Sequence, residues 1–293
     1  MKKIINNLDV NYTHTVGFTA DVGGRGFHLP RDLALNSENK LYVVSRSGAF
    51  HTAGLRISIC DIENNYYGEF SKFGKNPGEL YWPCSIAFDS KDNVYISDEY
   101  TNLISIFDKD GNFIKRWGTK GQVEGCINFP SGIDIDDKDH IYLADNMNDR
   151  IQVFSLDGEF IRTWGKEGHG EGEFDKPWGI KVYGDKVLVA DWRNGRVQIF
   201  DKEGNFLCSN RGEGSLSKWA QDFLDTNVQE KEARLKADLV FELESFKDDP
   251  FTESSHIEKL FWCPTSISFH NDNLLIVDSS RHRIQVFNTV QKL

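Results

Sequence analysis

A unit of about 47 residues recurs along this chain, and nothing else in the sequence narrows the fold as much. One copy reads Pro130-Ser-Gly-Ile-Asp-Ile135, Ile141-Tyr-Leu-Ala-Asp145, Arg150-Ile-Gln-Val-Phe154 and Phe160-Ile-Arg-Thr-Trp-Gly165. The next reads Pro177-Trp-Gly-Ile-Lys-Val182, Val187-Leu-Val-Ala-Asp191, Arg196-Val-Gln-Ile-Phe200 and Phe206-Leu207. An earlier copy opens at Pro83, and two further copies open at Pro30 and Pro264. Each unit holds four short runs of β-branched and aromatic residues, labelled strands a to d. Asp110-Gly111, Asp157-Gly158 and Glu203-Gly204 separate c from d, where a tight hairpin needs a positive φ.

A four-stranded unit of this length repeated around an axis predicts an all-β propeller of five motif-bearing blades over 1–293, a single domain. The last copy ends at Arg283-Ile-Gln-Val-Phe287 without a fourth strand, while residues 15–20 precede Pro30 as an orphan strand. The expectation is therefore that residues 15–20 pair with 283–287 and close the ring, covering both edges. The alternative is six blades with one degenerate.

The marker prolines stand 53, 47, 47 and 87 residues apart, so the last interval carries an insertion, placed at 211–262. A cap-like Ser215 and apolar residues at 216, 219, 220, 223 and 224 predict a helix. The insertion replaces a d-to-a connection on the ring's entrance face. A clamp on the rim and a lid over the channel are the two readings; Asp238–Leu243 is the only stretch that would suit a strand of a sixth blade.

The pattern Pro-x-Gly-Ile, Ile-Tyr-x-Ala-Asp, Asn-x-Arg-Ile-Gln-Val-Phe resembles NHL repeats. Asp145, Asn148 and Arg150 match that motif, as do Asp191, Asn194 and Arg196; blade one departs, with Ser45 at the Asp position. The resemblance implies a ring usually of six blades. It also implies relatives that include amidating lyases with His ligands in the channel, and lactonases and phosphotriesterases with a central metal. Here the residues after the prolines are Arg31, Cys84, Ser131, Trp178 and Thr265, with no His among them. No catalytic transition metal is therefore expected; calcium stays open, because Asp134 and rim carbonyls suit a hard ion.

The residues after the strand-b Asp position, Arg46, Glu99, Asn146, Trp192 and Ser279, rim the same entrance. The repeated Asp98, Asp145, Asp191 and Asp278 are read as structural, tying down the b–c loops. The variable neighbours are the site candidates. Arg31, Arg46, His51 and Glu99 could supply acid–base chemistry without a metal. Trp82, Cys84, Asn146, Trp178, Trp192 and Arg193 could hold a ligand, with Trp178 and Trp192 forming a wall or anchoring the insertion. His51 lies in a long b–c loop spanning 45–56, and Asp134 and Lys181 are expected to pair near the channel.

A net charge of -11 argues against nucleic acid or an anionic membrane as partner, and no apolar run is long enough to span a bilayer. Five scattered cysteines and a start without a secretory pattern point to a reducing cytoplasm. No nucleophile elbow, phosphate loop or dinucleotide fingerprint is present. Three functions stay open: a lyase, isomerase or hydrolase acting on a small molecule, a non-catalytic binder of a small molecule or short peptide at the entrance, and a protein-interaction scaffold.

Overall fold

A computed structural model describes residues 14–20, 22–47, 52–239, 249–270 and 273–288. Blade one is β1 (Pro30–Leu35), β2 (Leu41–Ser45), β3 (Arg56–Cys60) and β4 (Tyr66–Phe70). Blade two is β5 (Pro83–Phe88), β6 (Val94–Asp98), β7 (Leu103–Phe107) and β8 (Phe113–Trp117). Blade three is β9 (Pro130–Ile135), β10 (Ile141–Asp145), β11 (Arg150–Phe154) and β12 (Phe160–Trp164). Blade four is β13 (Pro177–Tyr183), β14 (Lys186–Asp191), β15 (Arg196–Asp201) and β16 (Phe206–Asn210). Blade five has three strands: β17 (Pro264–His270), β18 (Asn273–Asp278) and β19 (Arg283–Asn288). Every sheet is an antiparallel meander, and from blade one to blade five each first strand lies beside the first strand of the next blade.

Apolar residues of neighbouring blades fuse into cores between them; Ala87, Ile104 and Ile106 of blade two, for instance, meet Ile133, Ile141 and Phe154 of blade three. The c–d turn glycines of blades two, three and four have two reasons to be there. Gly158 has φ +86°, and a Cβ on it would come within 2.5 Å of the Trp117 ring of the preceding blade. Gly204 repeats the arrangement against Trp164.

The strand-b carboxylate is the fixed point of each regular blade. Asp145 accepts from the backbone of Asn128 (2.6 Å), Asn148 Nδ2 (2.8 Å), Arg150 Nε (2.8 Å) and Gln152 Nε2 (2.9 Å). Arg150 then spends its terminal nitrogen on the carbonyls of Val123 and Cys126 in the loop entering the blade. Asp191 and Asp278 repeat the scheme with Arg196 and Arg283. So the carboxylate ties the incoming loop to strand c and also holds the b–c loop, Asp145 and Asp191 through Asn148 and Asn194, and Asp98 through the N–H groups of Tyr100 and Thr101. In blade two Leu103 stands where the arginine would be, and Asp98 is served by four backbone N–H groups. Blade one compensates differently: Arg56 opens β3, rather than ending a loop, and pairs with Glu69 of β4 at 3.1 Å.

Arg56 also explains why the ring does not close as expected. It donates to the carbonyls of Ala20 (3.3 Å) and Gly26 (3.0 Å), holding the N-terminal segment on blade one. Gly17 and Thr15 bond Asn64, in the β3–β4 turn of that blade, instead of β19. The outer edge of β19 takes no strand among the described residues.

A seam is left between blades five and one. Leu33 of β1 is 57% exposed, whereas Ile86, Ile133, Ile180 and Ile267, at the same place in the other blades, are 3–7% exposed. Ile284 and Val286 face the seam from blade five, at 57% and 48%, where their blade-two counterparts Ile104 and Ile106 are buried.

The insertion is shorter than its sequence outline. Residues 257–263 are the ordinary loop into blade five, since Arg283 donates to Glu258 and Leu260 and Asp278 accepts from Trp262. The added part carries α1 (Lys218–Thr226), α2 (Val228–Lys236) and α3 (Pro250–His256). Ser217, not Ser215, caps α1 by accepting from the Ala220 N–H at 3.2 Å. Residues 238 and 239 form no strand, and 240–243 lie outside the described residues.

Two expectations follow. Removing one member of a buried ion pair strands the other, so Asp145→Ala should cost about 3–5 kcal/mol in denaturant unfolding. Asp98→Ala, with no arginine to strand, should cost less. Ile133→Ala should cost about 2–4 kcal/mol and Leu33→Ala about 0.5 kcal/mol or less, because only the first empties a packed interface. Equal losses at 33 and 133 would mean that the seam is filled in solution.

Candidate functional site

The inner strands of all five blades enclose a channel of about 870 Å³. Its mouth lies at the proline end of those strands, because there the loops into each blade and the b–c loops meet. Arg31 of blade one reaches across it, its guanidinium carbon 5.9 Å from the Trp178 ring of blade four. Trp178 lies 6.1 Å from Trp192, and Trp192 6.3 Å from Phe251 of α3, centroid to centroid. Arg193 covers the other side of Phe251 at 5.3 Å and approaches Asp175 at 3.7 Å. An unbroken aromatic row therefore links the channel mouth to the insertion, so Trp192 borders the wall and also anchors a helix.

Helix α3 is clamped to the rim. Arg281 donates to the carbonyls of Ser254 (2.6 Å) and Ile257 (2.8 Å), Arg211 pairs with Glu253, and the buried Ser254 sits on Gly195. Helices α1 and α2 pack on each other and reach the ring through the Arg234–Glu258 pair at 2.7 Å. They leave Trp219 (85% exposed) and Phe223 (58%) in solvent.

The other sequence candidates divide plainly. Arg46 and Glu99 meet each other at 2.9 Å, and Arg46 also bonds the carbonyls of Pro83 and Trp82 and faces the Trp82 ring. That pair bridges blades one and two, so each charge already has a partner. Asn146 is buried and donates to the Pro177 carbonyl, joining blades three and four. Cys84 lines the channel, but burial pushes its thiol up to about 12, far from a thiolate at neutral pH. Trp82 stands half-exposed against Tyr100. His51 lies outside the described residues.

Deeper in the channel, Asp134 holds Lys181 at 3.0 Å and accepts the Val182 N–H at 2.7 Å, the pair foreseen from the repeat. Lys181 thus already supplies a countercharge to the carboxylate considered for calcium. No group of three or more His, Cys, Asp or Glu side chains converges among the described residues. Asp32 was overlooked in the sequence. The signal was available, because the other four blades put Ser85, Gly132, Gly179 and Ser266 at that place.

Five antiparallel blades around a central channel define a β-propeller, and residues 174–200 and 261–287 match the model of the NHL repeat. A model described as a 6-bladed beta-propeller matches residues 85–164. The chain is a β-propeller that carries NHL repeats. No curated protein matches it.

Among solved structures, virginiamycin B lyase from Staphylococcus aureus is similar at 11% identity and TM-score 0.50, over 87% of this chain and 64% of that one. The chain thus spans just under two thirds of that lyase. A nidogen/laminin complex is similar at 12% identity and TM-score 0.53, over 89% and 76%. Kuenenia stuttgartiensis hydrazine synthase follows at 13% and 0.52, over 95% and 80%. At these identities the likeness is one of fold. No helix among the described residues is long and apolar enough to cross a membrane.

The aromatic row predicts that Trp192→Ala loosens α3. Amide exchange over residues 250–256 should accelerate by about tenfold or more, with blade-core amides unchanged. Unchanged exchange in α3 would show that Trp192 serves the channel alone.

Proposed function

We propose that the channel mouth binds a small molecule carrying an anionic group and a planar body. One observation carries this reading. Arg31 has no hydrogen bond or ion pair among the described residues, yet it stands over Trp178 at the entrance of the channel. An unpaired guanidinium beside a half-buried aromatic wall suits a carboxylate or phosphate attached to a ring.

Lyases among structures of like shape favour an enzyme of the lyase, isomerase or hydrolase kind as the working form of such a site. The mutual pairing of Arg46 and Glu99 favours its alternative, a binder without chemistry, because the acid–base couple nearest the mouth is spoken for. The exposed Trp219 and Phe223 favour an added protein contact through α1. Five free cysteines fit a reducing compartment such as the cytoplasm.

Saturation-transfer NMR and calorimetry with benzoate and indole-3-acetate test the site. The wild-type protein should bind them, and Arg31→Ala should weaken binding by about 1–3 kcal/mol with the fold intact. An affinity that ignores Arg31 would remove this reading.

A further inference from the structure

The charges lining the channel do not cancel in pairs. Asp134 and Lys181 neutralise one another. Asp32 has no such partner: its carboxylate accepts the N–H of Leu33 (2.9 Å), the hydroxyl of Ser85 (2.6 Å) and the N–H of Ile86 (3.0 Å). Among the described residues, no Lys, Arg or His forms an ion pair with it, and Lys181 acts on it only from a distance. Burial holds its pKa above the ordinary carboxylate range.

The side chain at this place bonds the inner strand of the next blade, as Ser85 Oγ does by accepting the Ile133 N–H, and that bond needs an acceptor but no charge. The inner strands approach so closely that a Cβ on Gly132 would come 2.6 Å from the Trp178 carbonyl, and one on Gly179 2.4 Å from that of Thr265. Small residues satisfy that crowding in four blades. In blade one a carboxyl occupies the place, in the wall of the channel and one residue from Arg31.

We propose that Asp32 sets the specificity of the channel-mouth site by receiving a cationic group of the ligand. The ligand class is then a small dipolar molecule. Its anionic group meets Arg31, its planar body lies on Trp178 and its ammonium points inward to Asp32. This rests on the reading of the mouth as a ligand site. The physical ground is that a carboxylate without a countercharge in a half-enclosed wall is costly, and an entering ammonium supplies the missing charge.

Calorimetry with benzoate and 4-(aminomethyl)benzoate, two compounds differing in one ammonium group, tests the assignment. The aminomethyl compound should bind the wild-type protein at least tenfold more tightly. That ratio should collapse to near one in Asp32→Asn, and also in Asp32→Ser, which installs the residue type of blades two and five and guards against a folding defect in the first variant. Arg31→Ala should weaken both compounds alike. Benzoate binding that depends on Arg31, without an ammonium advantage, would overturn the role of Asp32 and leave the site standing. Failure of both compounds to bind at millimolar concentration, or indifference of both to Arg31, would overturn the site itself.

Discussion

A carboxylate ending strand b is where three parts of a regular blade meet. It binds the backbone of the incoming loop, the arginine that opens strand c and the glutamine two residues further on. Because it is buried, each of those bonds lacks a water competitor, and losing one member leaves the rest unsatisfied. The arginine then extends the network to the loop carbonyls, so the loop preceding each blade is fixed by the blade it enters. That fixation positions the first residue of each inner strand, and those residues make the channel mouth.

The same rule accounts for the irregular blades. Where Ser45 replaces the aspartate, Glu69 supplies the charge that Arg56 needs. Arg56 still captures its incoming loop, which is the N-terminal segment. The described part of that segment thus belongs to blade one by the same chemistry that assigns every other loop. The apolar faces of Leu33, Ile284 and Val286 are left looking across the seam.

The periodicity made the strands, the c–d turns and the buried aspartates legible, because each depends on residues close in sequence. It hid what depends on contacts between blades. Arg46 and Glu99 were both visible as rim residues, but their engagement with each other comes from the packing of blade one on blade two. Arg56 was hidden by the long loop before it, which displaced it from the repeat's spacing. The insertion looked longer than it is because residues 257–263 keep the role of an entry loop without its usual glycines. Trp178 and Trp192 were recognisable as neighbours, being on one blade; that Phe251 completes their row could not be read, since α3 is brought there by Arg211 and Arg281.

The claim on which the functional account turns is that an unpaired arginine and the aromatic wall it stands over together hold one ligand at the channel mouth. A crystal structure of the protein soaked in 4-(aminomethyl)benzoate tests it most directly. The account predicts density at the mouth with the carboxylate on Arg31, the ring against Trp178 and the amine directed toward Asp32. Density elsewhere on the surface, or an empty mouth at saturating concentration, would contradict it.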